Sequence, residues 1–148
     1  MASRGSYEDA DLILKLYDLR REAGLRAARQ WITHEFWPQS ADEILAVFKE
    51  FGSEHNQWFR QVTTYWEMAC SFVNRGILDR DLFIDSGTEP IFIYAKLRPF
   101  LQDVRNASSP NFLSQISEYV ESSDRTRKIS QYMEKGMSQR AHAAQNRS

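Results

Sequence analysis

"NQWFRQVTTYWEMACSFVNRG", residues 56–76, decides the fold of this chain. Its apolar residues recur every three or four positions, which is the period of an α-helix and not the two-residue alternation of a strand. At about 100° of rotation per residue, Trp58, Tyr65, Trp66, Ala69 and Val73 fall within about 60° of Val62, with Phe59 at one edge and Phe72 just beyond the other. Arg60, Thr64, Glu67 and Ser71 occupy the opposite side. Rings at this spacing fasten a helix to its neighbours, so the stretch reads as core and not as a chemical site. Glu67 points about 140° away from Val62, outside the ring cluster that would raise its affinity for a proton. Cys70, at the edge of the stripe, reads as a small, buried, inert thiol.

The same period extends in both directions. Ser6 and Asp9 form a capping box for a first helix carrying Leu12, Ile13, Leu16, Tyr17 and Leu19, an apolar stripe wide enough for two neighbours. Gly24 divides it from a second helix with Leu25, Ala28, Ile32 and Phe36, which ends before Pro38. "SADE", residues 40–43, predicts a helix from Ala41, closed by Gly52. Asp79 caps a further start, Pro90 belongs to the first turn of the next helix, and Pro99 kinks or divides that helix. Ser109 and Pro110 open another, with Leu113, Ile116 and Val120 inward. After Ser123 the apolar residues thin out, and from about Ser138 the chain reads as disordered or held by a partner. The prediction is all-α, a compact bundle of about six or seven helices, kinked or divided near Pro99. Residues 1–122 form a single helical domain, and residues 123–148 a weakly anchored basic helix and tail.

A chain of 148 residues holds one ordinary domain. Its 19 basic and 20 acidic side chains nearly balance, but residues from Arg125 onward carry about +5 and the rest about −6. Such a tail reads as a solvated helix, because the acidic body supplies no matching basic stripe for a nucleic acid. One cysteine excludes an internal disulfide and points to the reduced cytoplasm. No stretch has the apolar length of a signal peptide or a membrane span.

Chemistry is thin. Glu-x-x-His does not occur, the residue four after His34 is Pro38, and Cys-x-x-Cys is missing, so neither a metal nor another cofactor is expected. His55 reads as a structural histidine near the buried face of the aromatic helix. Nucleophile elbows and phosphate-binding glycine loops are missing too, so no catalytic residue is assigned. "RQWITH", Arg29 to His34, resembles the Arg-x4-His ribonuclease motif of HEPN domains, small helical proteins that are often dimeric. The resemblance implies an arginine and a histidine acting on the 2′-hydroxyl and phosphate of RNA at a cleft between subunits. In an α-helix the two side chains diverge by about 140° unless the helix loosens between them.

"LYDLRREAGLRAARQW", "QWFRQVTTYWEMACSFVNRGILDRDLF" and "IYAKLRPFLQDVR" together resemble a group of small bacterial helical proteins classed as a domain of unknown function. The resemblance spans residues 12–122 and implies an all-α cytoplasmic or membrane-associated domain with no activity to carry over. The leading expectation is a non-catalytic interaction or regulatory module acting as a homodimer through surplus apolar surface on the first helix, with room for a further protein partner. The alternatives are the ribonuclease using Arg29 and His34, and a small-molecule-binding bundle with a gap among Trp31, Trp37, Trp58 and Trp66. Arg60, Glu67 and Arg75, polar groups beside the apolar stripe, are the candidate binding residues.

Overall fold

The structure is a computed structural model and describes residues 4–146. The elements are α1 (Tyr7–Leu19), α2 (Ala23–Gln30) running directly into a π-helical turn (Trp31–Glu35), α3 (Ala41–Lys49), α4 (Glu54–Asn74), α5 (Arg80–Ser86), α6 (Glu89–Leu97), a 3-10 turn (Arg98–Phe100), α7 (Leu101–Ala107), α8 (Ser114–Glu121) and α9 (Asp124–Gln145). Strands are missing among the described residues. Counting α6 and α7 as one rod kinked at the turn that contains Pro99 gives eight helices among the described residues, more than the six or seven read from periodicity. The Asp79 cap marks the start of α5, but at seven residues that helix holds too few turns to show a repeating pattern.

α4 is the axis of the bundle, packed against α2, α3 and α8. Phe59, Val62, Tyr65, Trp66, Ala69, Cys70 and Val73 are buried along it, close to the predicted stripe, while Trp58 and Phe72 are half-buried at its margins. Phe59 meets Phe48 of α3 and Phe36 and Phe112 from two connecting segments, edge-on or stacked, with centroids 5.4–5.9 Å apart. α6 brings Ile91, Ile93, Tyr94 and Leu97 into the same core and packs on α8 and α9.

The caps follow the chemistry of the sequence in several places. Ser6 and Asp9 form both halves of a capping box, and Ser40, Ser53 and Asp79 each accept from a backbone amide three residues on. Glu43 differs by one residue: its carboxylate takes the amide of Gln39, at 2.7 Å, instead of that of Ser40. The break between α1 and α2 falls at residues 20–22 and not at Gly24, because the Glu22 carboxylate accepts from the amides of Gly24 and Leu25, at 2.9 Å each, and starts α2 there.

Two helix ends are completed from far away in the chain. The helix expected from Ser109 begins at Ser114, because Leu113 adopts a left-handed conformation with φ 54° while its side chain is buried. A leucine offers no capping oxygen, so the amides of Gln115 and Ile116 are met by Glu67 of α4, at 3.2 and 2.8 Å. At the end of the π turn, Lys96 of α6 donates its ammonium to the carbonyls of Ile32 and Phe36 and lies 3.7 Å from the Trp37 ring centroid. α9 is seated by Thr126 and Ser130, both buried, with Thr126 donating its hydroxyl to Val120 O at 2.6 Å. Arg147 and Ser148 at the end of the expected tail lie outside the described residues.

Lys96 is 6% exposed, and burial lowers its pKa from 10.5 to about 8. Between those values the unfolded chain binds more protons than the folded one, so stability rises with pH there. Tyr94 and Tyr119 act in the opposite sense: burial holds both phenols neutral above their ordinary value of 10, helped at Tyr94 by its hydrogen bond to Glu121. Unfolded tyrosines ionise first, so stability falls above about pH 10. Urea midpoints followed from neutral to alkaline pH are expected to climb from about pH 8 and then drop. Lys96→Met is expected to flatten the climb and keep the drop.

Candidate functional site

Burying a tryptophan removes a large apolar surface from water but leaves an indole N–H that needs an acceptor. Trp66, 2% exposed, donates to Glu89 Oε2 at 2.7 Å, in the first turn of α6. The same oxygen accepts from Arg29 Nε of α2 at 2.9 Å, so the carboxylate that satisfies the ring is itself neutralised. The neighbouring Tyr65 donates its hydroxyl to the carbonyl of Leu16 and ties α1 to α4. Burial pushes the Tyr65 phenol up, against the charges of Arg20 and Arg29, so at neutral pH it is a donor and not a base.

On one side of this network lies a cleft of about 260 Å³ between α1, α4 and α5. Its walls are Ile13, Leu14, Tyr17, Tyr65, Trp66 and Phe83. Arg20, at the C-terminal cap of α1, closes one side, with its guanidinium carbon 4.8 Å from the Tyr17 ring centroid and 5.8 Å from that of Trp66. Among the described residues its guanidinium meets no carboxylate within 4 Å. The cleft is therefore an apolar surface beside one uncompensated cation.

On the other side is a wider polar groove bordered by Arg26, Arg29, Gln30, Thr33, His34 and Glu89. The π turn that begins at Trp31 rotates less per residue than an α-helix, so Arg29 and His34 border the same groove instead of diverging. Arg29 is only partly free there, because its Nε is engaged by Glu89.

The four tryptophans divide among different surroundings. Trp31 is buried and stacks on Phe36 and His55, with centroids 4.7 and 5.1 Å apart, and Trp58 lies against both Trp31 and His55. That group is packed core with an exposed histidine lying on it, so His55 works as a flat ring at the surface and not from a buried face. Trp37 is exposed against Phe92 and Lys96. Only Trp66 borders the cleft.

Arg60, Glu67 and Arg75 are not gathered into one site. Arg60 and Arg75 are exposed and separated by about 22 Å of helix. Arg60 lies over the exposed Phe51 ring, 5.5 Å from its centroid, whereas both oxygens of Glu67 are committed to the α8 amides. The Cys70 thiol is fully buried, and burial, with Glu67 nearby, pushes its pKa well above the ordinary value. Among the described residues no group of three His, Cys, Asp or Glu is placed to hold a metal ion. No described helix is long and apolar enough to cross a membrane. Arg20 and Glu89 were missed as site residues by sequence reasoning; the one local signal was a cation at the end of an amphipathic helix.

Residues 6–123 match the family model described as "Domain of unknown function (DUF4760)". No curated protein and no solved structure matches the chain.

Removing the Glu89 carboxylate strands the Arg29 Nε donor and the buried Trp66 N–H together. Glu89→Ala is expected to cost about 2 kcal/mol in urea unfolding. Trp66→Phe should then cost at least ~1 kcal/mol less in the Glu89→Ala background than in the parent, whereas additive losses would show that the two side chains do not act as a unit.

Proposed function

We propose, for a chain that belongs to the DUF4760 family, a role by contact and not by chemistry: a helical binding module that pairs with a second copy of itself through α1. The observation that carries this reading is the outer face of α1, where Tyr7 is 94% exposed, Leu14 63% and Tyr17 49%. Tyr7 and Leu14 are two turns apart on one stripe, with Tyr17 a turn further at its edge. A two-fold pairing centred on Leu14 is self-complementary, because it sets the N-terminal half of α1 in one copy against the C-terminal half of α1 in the other. Arg60 and Arg75, exposed elsewhere on the surface, are left for a different protein partner. Residues 1–122 form the working unit in this reading, supported by the family match ending at residue 123 and by α9 starting at Asp124. The free thiol of Cys70 suits a reducing cytoplasm.

Sedimentation equilibrium at micromolar protein is expected to show a dimer. Leu14→Glu should weaken pairing by about two orders of magnitude, since it places two carboxylates at the centre of the contact, while circular dichroism stays unchanged. A monomeric parent would remove this reading.

A second reading, RNA cleavage in the manner the HEPN resemblance implies, is favoured by one observation: Arg29 and His34 border one groove. Arg29 would meet the phosphate with the part of its guanidinium not held by Glu89, and His34 would handle the proton of the 2′-hydroxyl. His34→Ala is expected to abolish cleavage of single-stranded RNA without altering the helical signal. If the parent chain leaves RNA intact, the ribonuclease reading ends.

A further inference from the structure

We propose that the cleft between α1, α4 and α5 binds a small organic acid, an aromatic or short aliphatic body seated on Tyr65, Trp66 and Phe83 with its carboxylate held by Arg20. Two of the hydroxyls beside the cleft are engaged, Tyr65 donating to Leu16 O and Ser86 to Phe83 O, the latter at 2.7 Å, and that of Tyr17 is neutral. Among the lining residues the guanidinium of Arg20 is the one charged anchor, and its chemistry selects an anion. Its guanidinium carbon lies 4.8 and 5.8 Å from the Tyr17 and Trp66 ring centroids, and among the described residues no carboxylate takes its N–H groups, the fork that matches two carboxylate oxygens. Glu89 takes Arg29 and the Trp66 N–H on its Oε2 and makes no ion pair with Arg20.

Size narrows the class. An apolar cavity of about 150 Å³ holds benzene, so the 260 Å³ here suits a bicyclic ring or one ring with a short side chain. One arginine fits the single charge of a carboxylate better than the double charge of a phosphate monoester, which calls for several donors. The inference goes beyond pairing through α1 and does not depend on it, so the titrations below are run at several protein concentrations to separate the two.

The probes are indole-3-acetate, its neutral amide indole-3-acetamide, and the cation tryptamine. They are titrated calorimetrically into the full chain while the Trp66 indole N–H resonance is followed by NMR, assigned through Trp66→Phe. The acid is expected to bind and shift that resonance. The amide should bind about ten- to a hundredfold more weakly, and tryptamine not at all. Arg20→Gln should erase the preference for acid over amide, and Arg20→Lys should restore part of it, with circular dichroism confirming that both variants fold. No binding at millimolar acid, equal affinity for acid and amide, or binding that leaves the Trp66 resonance unmoved would each overturn the proposal.

Discussion

A buried indole must find a hydrogen-bond acceptor, and the arrangement around the cleft follows from how Trp66 meets that demand. The acceptor is the Glu89 carboxylate, a charge that the interior tolerates only with a counter-ion. Arg29 supplies it, and so one carboxylate at the start of α6 ties α2 and α4 together. Once Trp66 is fixed, its face is a wall that α1 only partly covers, with the Tyr65 hydroxyl pinning α1 at Leu16 and leaving a gap beyond. The cleft and the polar groove are thus two sides of one solution to a buried N–H.

Other long side chains solve the same class of problem for the backbone. A helix that starts after a left-handed leucine has free amides, and one that ends in a π turn has free carbonyls. Glu67 and Lys96 meet them with charge of the favourable sign for each end of a helix dipole. Lys96 does so at a cost visible in its lowered pKa, since nothing but neutral carbonyls and ring faces surrounds the ammonium. The two contacts set the relation of α4 to α8 and of α2 to α6, which apolar packing alone would leave free to slide.

What could be read in the sequence is what has a local period or a local cap. The stripe on α4, the hydroxyls of Ser6, Ser40 and Ser53, the carboxylate of Asp79, and the kink at Pro99 all act within a few residues of themselves. Contacts such as Glu67 with Ile116, Glu89 with Trp66, and Lys96 with Phe36 span 23 to 60 residues and leave no pattern in one chain. Glu67 does point away from the rings, as its place on the helical wheel requires, yet the side facing away from them is not solvent. A 21-residue helix at the centre of a bundle has neighbours on more than one side, and α8 lies on that one. The π turn was equally hidden, because nothing in "WITHE" departs from a helical composition.

Electrostatics separates the two surfaces beside Glu89 more sharply than shape does. Arg29 and Arg20 both approach this part of α4, but Arg29 shares its charge with a carboxylate at 2.9 Å, whereas Arg20 has the Tyr17 and Trp66 rings beside it and, among the described residues, no carboxylate within 4 Å. A guanidinium already paired gains less from a new anion, because the first partner must be displaced or shared. An unpaired one, with part of its water replaced by aromatic faces, gains more, since its edge donors are preorganised and low in competing hydration. The groove with the recognisable motif therefore has the weaker claim on an anion, and the cleft with no motif the stronger. α1 ties that cleft to the two-copy reading as well, because Leu14 and Tyr17 belong to both its wall and its outer stripe. Any free energy that occupancy of the cleft transfers to pairing must be returned by pairing to occupancy, since linkage between binding equilibria is reciprocal.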